Sequence, residues 1–192
     1  MIVCMSDDGK LDLILGAAYE CFCIHGVRRT TMEDIARRAG MSRPVVYRHV
    51  RNKEDAFHRL ADQLLRETLD QIRAALAEPG PPTERLTAAL SLKIGLTLRI
   101  WRESPHAEEL LGESAQLTAD LLVGFQAELR AQLTAMIGAD LPTADAPEFA
   151  ELLLAMAHGL EVHSADPDIP LRLMRQGVTL LVAGMTLTAP QA

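Results

Sequence analysis

Thr31-Met-Glu-Asp-Ile-Ala-Arg-Arg-Ala-Gly-Met-Ser-Arg-Pro-Val-Val-Tyr-Arg-His-Val-Arg-Asn-Lys53 decides the fold of this 192-residue chain. Thr31 can N-cap a helix, and Asp34 three residues on completes a capping-box-like pair. Ile35, Ala36 and Ala39 give that helix one small apolar face. Gly40 suits a left-handed exit, which glycine adopts without a Cβ penalty. Met41 turns inward, Ser42 can cap the next helix, and Pro44 falls in its first turn, where a missing N–H does no harm. Asn52 can cap a third helix that starts at Lys53, with Asp55 at its third position. The middle helix is therefore short, about two turns over 43–49.

Val46 and Val50 are four apart and face inward. Arg43, Pro44, Val45, Tyr47, Arg48 and His49 are left for a partner surface. Arg43 is long enough to donate two hydrogen bonds to a guanine edge, and Pro44 and Val45 suit a thymine methyl. Tyr47, His49 and Lys53 suit phosphate oxygens, with Lys53 at a helix N-terminus, and Arg48 fits either class. From Arg28 to Lys53 there are eight Arg or Lys against two Asp or Glu, a local net of +6 in a chain of net charge −7. One basic face on an acidic molecule points to a DNA-docking surface rather than general polyanion binding. The competing reading is a small helical bundle whose arginines form only a solvated face. The caps, the glycine turn and the immediate third helix together favour DNA.

These residues resemble the TetR family of bacterial transcriptional regulators at Thr31, Ile35, Ala36, Ala39-Gly40, Ser42, Tyr47, His49 and Asn52-Lys53. Upstream, Ala17-Ala-Tyr-Glu-Cys-Phe-Cys-Ile-His-Gly26 resembles the end of the family's first helix; Phe22 would then be core and Gly26 would end the helix. The resemblance covers about residues 11–60, and the remainder matches in helix number and length. Pro44 stands where many members have glycine or alanine, and Val50 where many have phenylalanine. The first stiffens entry to the recognition helix and the second thins the packing beneath it, so the operator cannot be read by analogy.

Strand signals are weak and apolar residues recur at spacings of three and four, so the fold class is all-α. The expected organisation is a three-helix helix-turn-helix domain over 1–52, ordered from about residue 10, and a six-helix ligand-binding and dimerisation domain over 53–192. Helices are expected over 53–76, 83–103, 113–137, 147–163 and 168–187, with a short one from Ser104-Pro105 to Gly112. Pro79-Gly-Pro-Pro82, a loop over 138–147 and Ser164–Pro167 separate them. Met1–Met5 lacks the flanks of a secretory signal, Met5 is an alternative start, and no apolar run approaches about 18 residues; a cytoplasmic protein is expected. Cys4, Cys21 and Cys23 have neither number nor spacing for a disulfide frame or zinc site, and Cys21 and Cys23 read as core-filling thiols.

From Gly177 to Leu187 only Thr179 and Thr186 are polar, and a helix apolar nearly all round is buried nearly all round. A two-fold dimer through the last two helices follows, with Met156, Leu160, Met174, Gly177, Val178, Leu181, Gly184 and Met185 at the interface. A central helix buried wholly inside the monomer is the alternative. A dimer would place two recognition helices on the half-sites of a palindrome.

Glu54, Asp55 and His58, and His158 with His163, are the only spacings a metal might use; the first reads as a solvated face and the second pair diverges. No phosphate loop or nucleophile elbow is present, and neither a catalytic site nor a cofactor is expected. The resemblance implies a small-molecule site in the helical domain, with Thr97, Trp101, Leu122, Phe125 and Met156 as candidate lining for a largely hydrophobic effector. Arg99, Arg102 and His106 could meet an acidic ligand or be plain surface charge. The expected function is a repressor that binds a palindromic operator as a homodimer and is released by its effector. A ligand-independent DNA-binding regulator, and a helical enzyme with a chance helix-turn-helix resemblance, are the other readings.

Overall fold

The computed structural model describes residues 7–112, 116–141, 144–161, 166 and 168–187. Among these the chain forms nine helices and no strand: α1 (Asp7–Arg29), α2 (Met32–Arg38), α3 (Arg43–His49), α4 (Lys53–Ala77), α5 (Pro82–Glu103), α6 (Ala107–Leu111), α7 (Ala119–Asp140), α8 (Ala146–Gly159) and α9 (Asp168–Leu187). They divide into two compact units. The first holds the chain up to Leu64 together with Ile100–Leu121, and the second holds Leu65–Arg99 and Leu122 onward. Helices α4 and α5 thus each have residues in both units.

The first unit is built on Ile14, Ala18 and Phe22 of α1, Ile35 and Ala36 of α2, Val46 and Val50 of the recognition segment, and Ala56, Phe57 and Leu60 of α4, all buried. The Phe22 and Phe57 rings meet edge-to-face, centroids 5.6 Å apart, a geometry that adds about 0.5–1.5 kcal/mol to the area the rings bury. Helix α1 is broken at Gly26, where φ is 76° and ψ 163°, backbone that only glycine adopts without strain. Thr30, itself buried, closes the break: its hydroxyl donates to the Gly26 carbonyl at 2.7 Å and lies 3.2 Å from that of Cys21. Residues from the end of α5 and from α6 are fastened to α1. Ser104 Oγ donates to the Cys23 carbonyl (2.9 Å), Glu109 Oε1 accepts the Arg28 backbone N–H (2.7 Å), and Tyr19 donates to Glu103. Burial first, and then the Glu103 bond, push the Tyr19 phenol upward and keep it protonated. Burial likewise raises the Cys21 thiol, and Cys21 and Cys23 are both buried; they are core thiols.

The second unit packs Ile72 and Leu76 of α4, Leu86, Leu90 and Ile94 of α5, Leu129, Leu133 and Ile137 of α7, Phe149 and Leu153 of α8, and Met174 and Val178 of α9 into one core. Asp145 caps α8 by accepting the Glu148 N–H, with Pro147 in its first turn. Arg85 Nε donates to the Leu76 carbonyl at 2.8 Å and closes the end of α4.

The element boundaries differ from expectation in α7 and α8. Helix α7 begins at Ala119, not near 113, and passes Gly138 to reach Asp140. Burial of Met136, Ile137 and Leu141 outweighs the ~1 kcal/mol helix penalty of one glycine. Helix α8 stops at Gly159, with Leu160 as its C-cap, rather than running to 163. Glycine there removes the propensity that would carry the turn onward. Cys4, Met5, residue 113 and the 162–165 segment, His163 included, lie outside the described residues.

Candidate nucleic-acid interface

The helix-turn-helix is assembled by short-range polar contacts. Thr31 and Asp34 form a complete capping box: Asp34 N–H donates to Thr31 Oγ1 (3.2 Å), while Asp34 Oδ2 accepts from Thr31 N–H (3.0 Å) and Oγ1–H (2.6 Å). Gly40 leaves α2 at φ 66°. Helix α3 starts at Arg43 with Pro44 in its first turn; Ser42 occupies the cap position, but its side chain makes no capping bond. Asn52 Oδ1 accepts the Asp55 N–H (2.7 Å), and Asp55 Oδ2 accepts the Arg51 N–H (2.8 Å), which starts α4 directly behind α3.

The recognition helix presents Arg43, Pro44, Tyr47 and Arg48 outward, with Val45 and His49 half-buried, while Val46 and Val50 seal it to the core. Arg43 lies over the Tyr47 ring, 5.9 Å from its centroid, and its Nη1 is 3.4 Å from Glu33 Oε2. The Tyr47 hydroxyl, and then Glu33, hold the guanidinium even more firmly protonated than usual. Sequence reasoning missed Glu33, which stands in the first turn of α2 and pairs with the residue proposed to read a base. Exposed pairs of this kind contribute little, so DNA can replace the carboxylate at small cost.

Two expected DNA contacts have structural employment. The Thr31 hydroxyl both donates and accepts within its capping box. Lys53 Nζ donates to the Arg28 carbonyl at 2.7 Å and ties α4 to the end of α1, leaving its other N–H groups for a phosphate. The exposed Ser42 hydroxyl is not engaged in capping.

The candidate effector residues do not form one cluster within either unit. Trp101 falls in the first unit, and the other four fall in the second. Phe125 is core, Leu122 is exposed, the Thr97 hydroxyl donates to Glu161 Oε1 (3.2 Å), and Met156 packs on bare Gly177. Arg99 has its Nε buried with no hydrogen-bond partner among the described residues, Arg102 is exposed, and the His106 backbone N–H donates to Ser104 Oγ. A polar pair that was not anticipated lies in this unit: Lys93 Nζ is 2.8 Å from Glu161 Oε1, with the Lys93 side chain 3% exposed. The sequence does carry a sign of it. Leu86, Leu90, Lys93 and Thr97 keep one 4-3-4 stripe, with two polar residues at core positions.

The expected interface residues on α9 also sort differently. Met174 and Val178 are fully buried in the chain's own core, and Gly177 is covered by Met156 of α8, where a Cβ would collide with the thioether. Met174 and Val178 are therefore not available to a second copy, while Gly177 is half-buried. Met156, Leu160, Leu181 and Met185 pack partly against the same core, and Gly184 is exposed. The large apolar side chains left exposed on these two helices are Leu152 of α8 and Leu171, Leu173 and Leu180 of α9; Leu173 and Leu180, seven apart, share a face, and Leu180 is 64% exposed. The Asp55 and His58 side chains have other partners, in keeping with a solvated face: Asp55 serves Arg51 and Arg59, and His58 Nε2 faces Asp120 at 3.5 Å. Among the described residues, no group of three His, Cys, Asp or Glu could hold an ion, and no helix is long and apolar enough to cross a membrane.

A capped helix-turn-helix with a basic, outward recognition helix defines a DNA-binding transcriptional regulator. Residues 14–60 match the family described as bacterial regulatory proteins, tetR family. Over 170 residues the chain is 28% identical to the HTH-type transcriptional regulator BetI of Agrobacterium fabrum, covering 83% of this chain and 79% of that one. A TetR transcription regulator from Haloarcula marismortui shares the fold with a TM-score of 0.75 at 22% identity, over 93% of this chain and 98% of that one. FadR from Bacillus subtilis, solved in complex with stearoyl-CoA, does so with a TM-score of 0.68 at 20% identity, over 90% and 98%. The chain belongs to the TetR family of bacterial transcriptional regulators. Its relatives are regulators, not enzymes.

Proposed function

We propose that this protein is a cytoplasmic repressor that binds a palindromic operator as a homodimer and is released by a small-molecule effector. The observation that carries the reading is how α6 is held. Ser104, Glu109 and the end of α5 are hydrogen-bonded to α1, and α1 packs on α2 of the helix-turn-helix. A change that reaches the 100–111 segment acts directly on the frame that aims α3. Helices α4 and α5 both continue into the second unit, where a ligand could act on them. An effector shifts such an equilibrium only by its difference in affinity for the two states.

The dimer is supported by the apolar side chains left outward on α8 and α9: Leu152, Leu171, Leu173 and Leu180. Two α3 helices related by a two-fold axis then read half-sites about one helical turn, or a multiple of it, apart. A largely hydrophobic effector fits a domain whose core is almost wholly aliphatic. The stearoyl-CoA bound to the fold neighbour from Bacillus subtilis carries a long apolar chain.

The test is selection of genomic fragments by the purified protein, followed by release assays with small-molecule extracts. Recovery of a palindrome, and its release by an extract, is the expected result. Binding to fragments with no shared motif, or a palindrome that no extract releases, would overturn the regulator reading or its ligand dependence respectively.

A further inference from the structure

The second unit contains an ion pair in an unusual place. Lys93 stands mid-helix on the α5 face that carries Leu86 and Leu90, both fully buried, and its side chain is almost completely withdrawn from water. Its ammonium is held by Glu161 Oε1 at 2.8 Å; the same oxygen accepts from Thr97 Oγ1 at 3.2 Å. Glu161 Oε2 lies 3.5 Å from Nδ1 of His158, whose side chain is exposed. A buried ion pair at best roughly offsets the cost of stripping water from both charges, and well-packed apolar residues usually serve stability as well or better. Stability alone therefore does not account for a lysine on this face.

The two partners are held unequally. Lys93 and Thr97 are one turn apart inside α5, with their backbone fixed by helix hydrogen bonds. Glu161 lies beyond the α8 C-cap, outside any helix, with its N–H donating to the His158 carbonyl at 3.2 Å. The cation and hydroxyl thus stand on a fixed backbone, and the carboxylate is the part that can leave with least disruption.

Building on the effector-responsive reading above, we infer that Lys93 and Thr97 are the polar anchor of an effector site for an organic carboxylate with an apolar body, and that Glu161 occupies this anchor in the free protein. The group already seated there is a carboxylate, which sets the chemistry the anchor accepts. The aliphatic residues of the surrounding core suit an apolar body. An incoming carboxylate takes over the Lys93 and Thr97 hydrogen bonds and frees Glu161 to solvent beside His158. Binding is thereby linked to a local change at the end of α8.

The experiment titrates the full-length protein by calorimetry with saturated and aromatic carboxylates of six to sixteen carbons, their matching alcohols, and their matching trimethylammonium compounds. At least one carboxylate should bind tenfold or more tightly than its alcohol. Lys93→Met, chosen to keep length and apolar packing, should reduce that carboxylate to the level of the alcohol while leaving operator binding intact. Glu161→Gln, which removes the competing charge but keeps the shape, should tighten carboxylate binding severalfold. This opposite sign is not expected of a purely structural ion pair, and it still tests the inference if Lys93→Met fails to fold. Equal binding of acid and alcohol, no binding by any carboxylate, weaker carboxylate binding in Glu161→Gln, or trimethylammonium binding that Glu161→Gln abolishes would each overturn the inference. Release of the operator by an uncharged compound, equally in parent and Lys93→Met, would sink the anchor and leave the ligand-responsive reading standing. Absence of release by any small molecule would sink that reading itself.

Discussion

Arg43 is held between the Tyr47 ring and the Glu33 carboxylate. If Arg43 reads a base as proposed, Glu33 must leave it, and the pair is exposed enough for that to cost little. Arg43→Ala should lower operator affinity by roughly fivefold to a hundredfold and abolish discrimination at a single base position. Fluorescence anisotropy against a set of single-base operator variants reads this; a mutant that ranks all variants as the parent does would remove Arg43 from base reading. Glu33→Gln should raise affinity by about twofold to threefold, since it removes both a competitor for Arg43 and a negative charge facing phosphate. A drop in affinity would mean that Glu33 positions Arg43 rather than competing for it.

The carboxylates that cap α2 and α4 set a pH response of known sign. The Thr31 hydroxyl, and then its N–H, hold Asp34 below the usual carboxylate range. Burial would raise Asp55, but the Arg51 N–H and Arg59 together outweigh it and leave it lowered. Because both are lower when folded, the unfolded chain binds protons first. Their contribution is complete above the unfolded value of about 3.9 and is lost as pH falls through the lower folded values. Urea midpoints measured between pH 6 and 2 should fall most steeply below about pH 4. The Asp34→Asn protein should show a shallower acid limb; an unchanged limb would exclude Asp34 as a contributor.

At the scale of elements, α1 shows how one residue sets a junction. Gly26 has φ 76° and ψ 163°, and Glu109 of α6 covers it so closely that a Cβ would collide with the carboxylate. Gly26→Ala should destabilise the first unit by about 1–3 kcal/mol through backbone strain, with a further cost from displacing Glu109. Glu109→Ala alone loses the Arg28 bond, so the comparison is a four-protein cycle: in the Glu109→Ala background Gly26→Ala should cost only the strain, which chemical denaturation can separate. No cost of Gly26→Ala in that background would mean that the backbone at 26 is unstrained. Helix α4 shows a different economy: one apolar stripe serves two cores, with Phe57 and Leu60 in the first unit and Ile72 and Leu76 in the second. The periodicity of that stripe was plain in the chain, but its division was not, because spacing records which face is buried and not against what.

For the molecule as a whole, the exposed face of α9 bears on the second copy. Leu173 and Leu180 are exposed on α9, while Met174 and Val178 beside them are wholly buried. Leu180→Glu and Leu173→Glu should therefore disturb the protomer's own stability by no more than about 0.5 kcal/mol. They should convert a sedimenting dimer to monomer and weaken operator binding severalfold or more. Monomer in the parent at micromolar concentration, or dimer retained in both variants, would remove this face from the assembly. The first result would remove the two-fold operator model as well.

The parts of this protein that its sequence determined are those made by neighbours along the chain. The Thr31–Asp34 box, the Gly40 turn, Pro44 at the start of α3 and the Asn52–Asp55 cap all join residues within a few positions, and their chemistry shows in residue order alone. The recognition helix followed from them, and the all-α class from apolar residues recurring at spacings of three and four. Tertiary structure decided what depends on distant partners. Glu109 reaches Arg28 across 81 positions, and Lys93 meets Glu161 across 68. It also decided that Met174, Gly177 and Val178 face inward while Leu173 and Leu180 face outward. On a helix apolar nearly all round, hydrophobicity cannot choose a face; only the neighbours that arrive from elsewhere in the chain can.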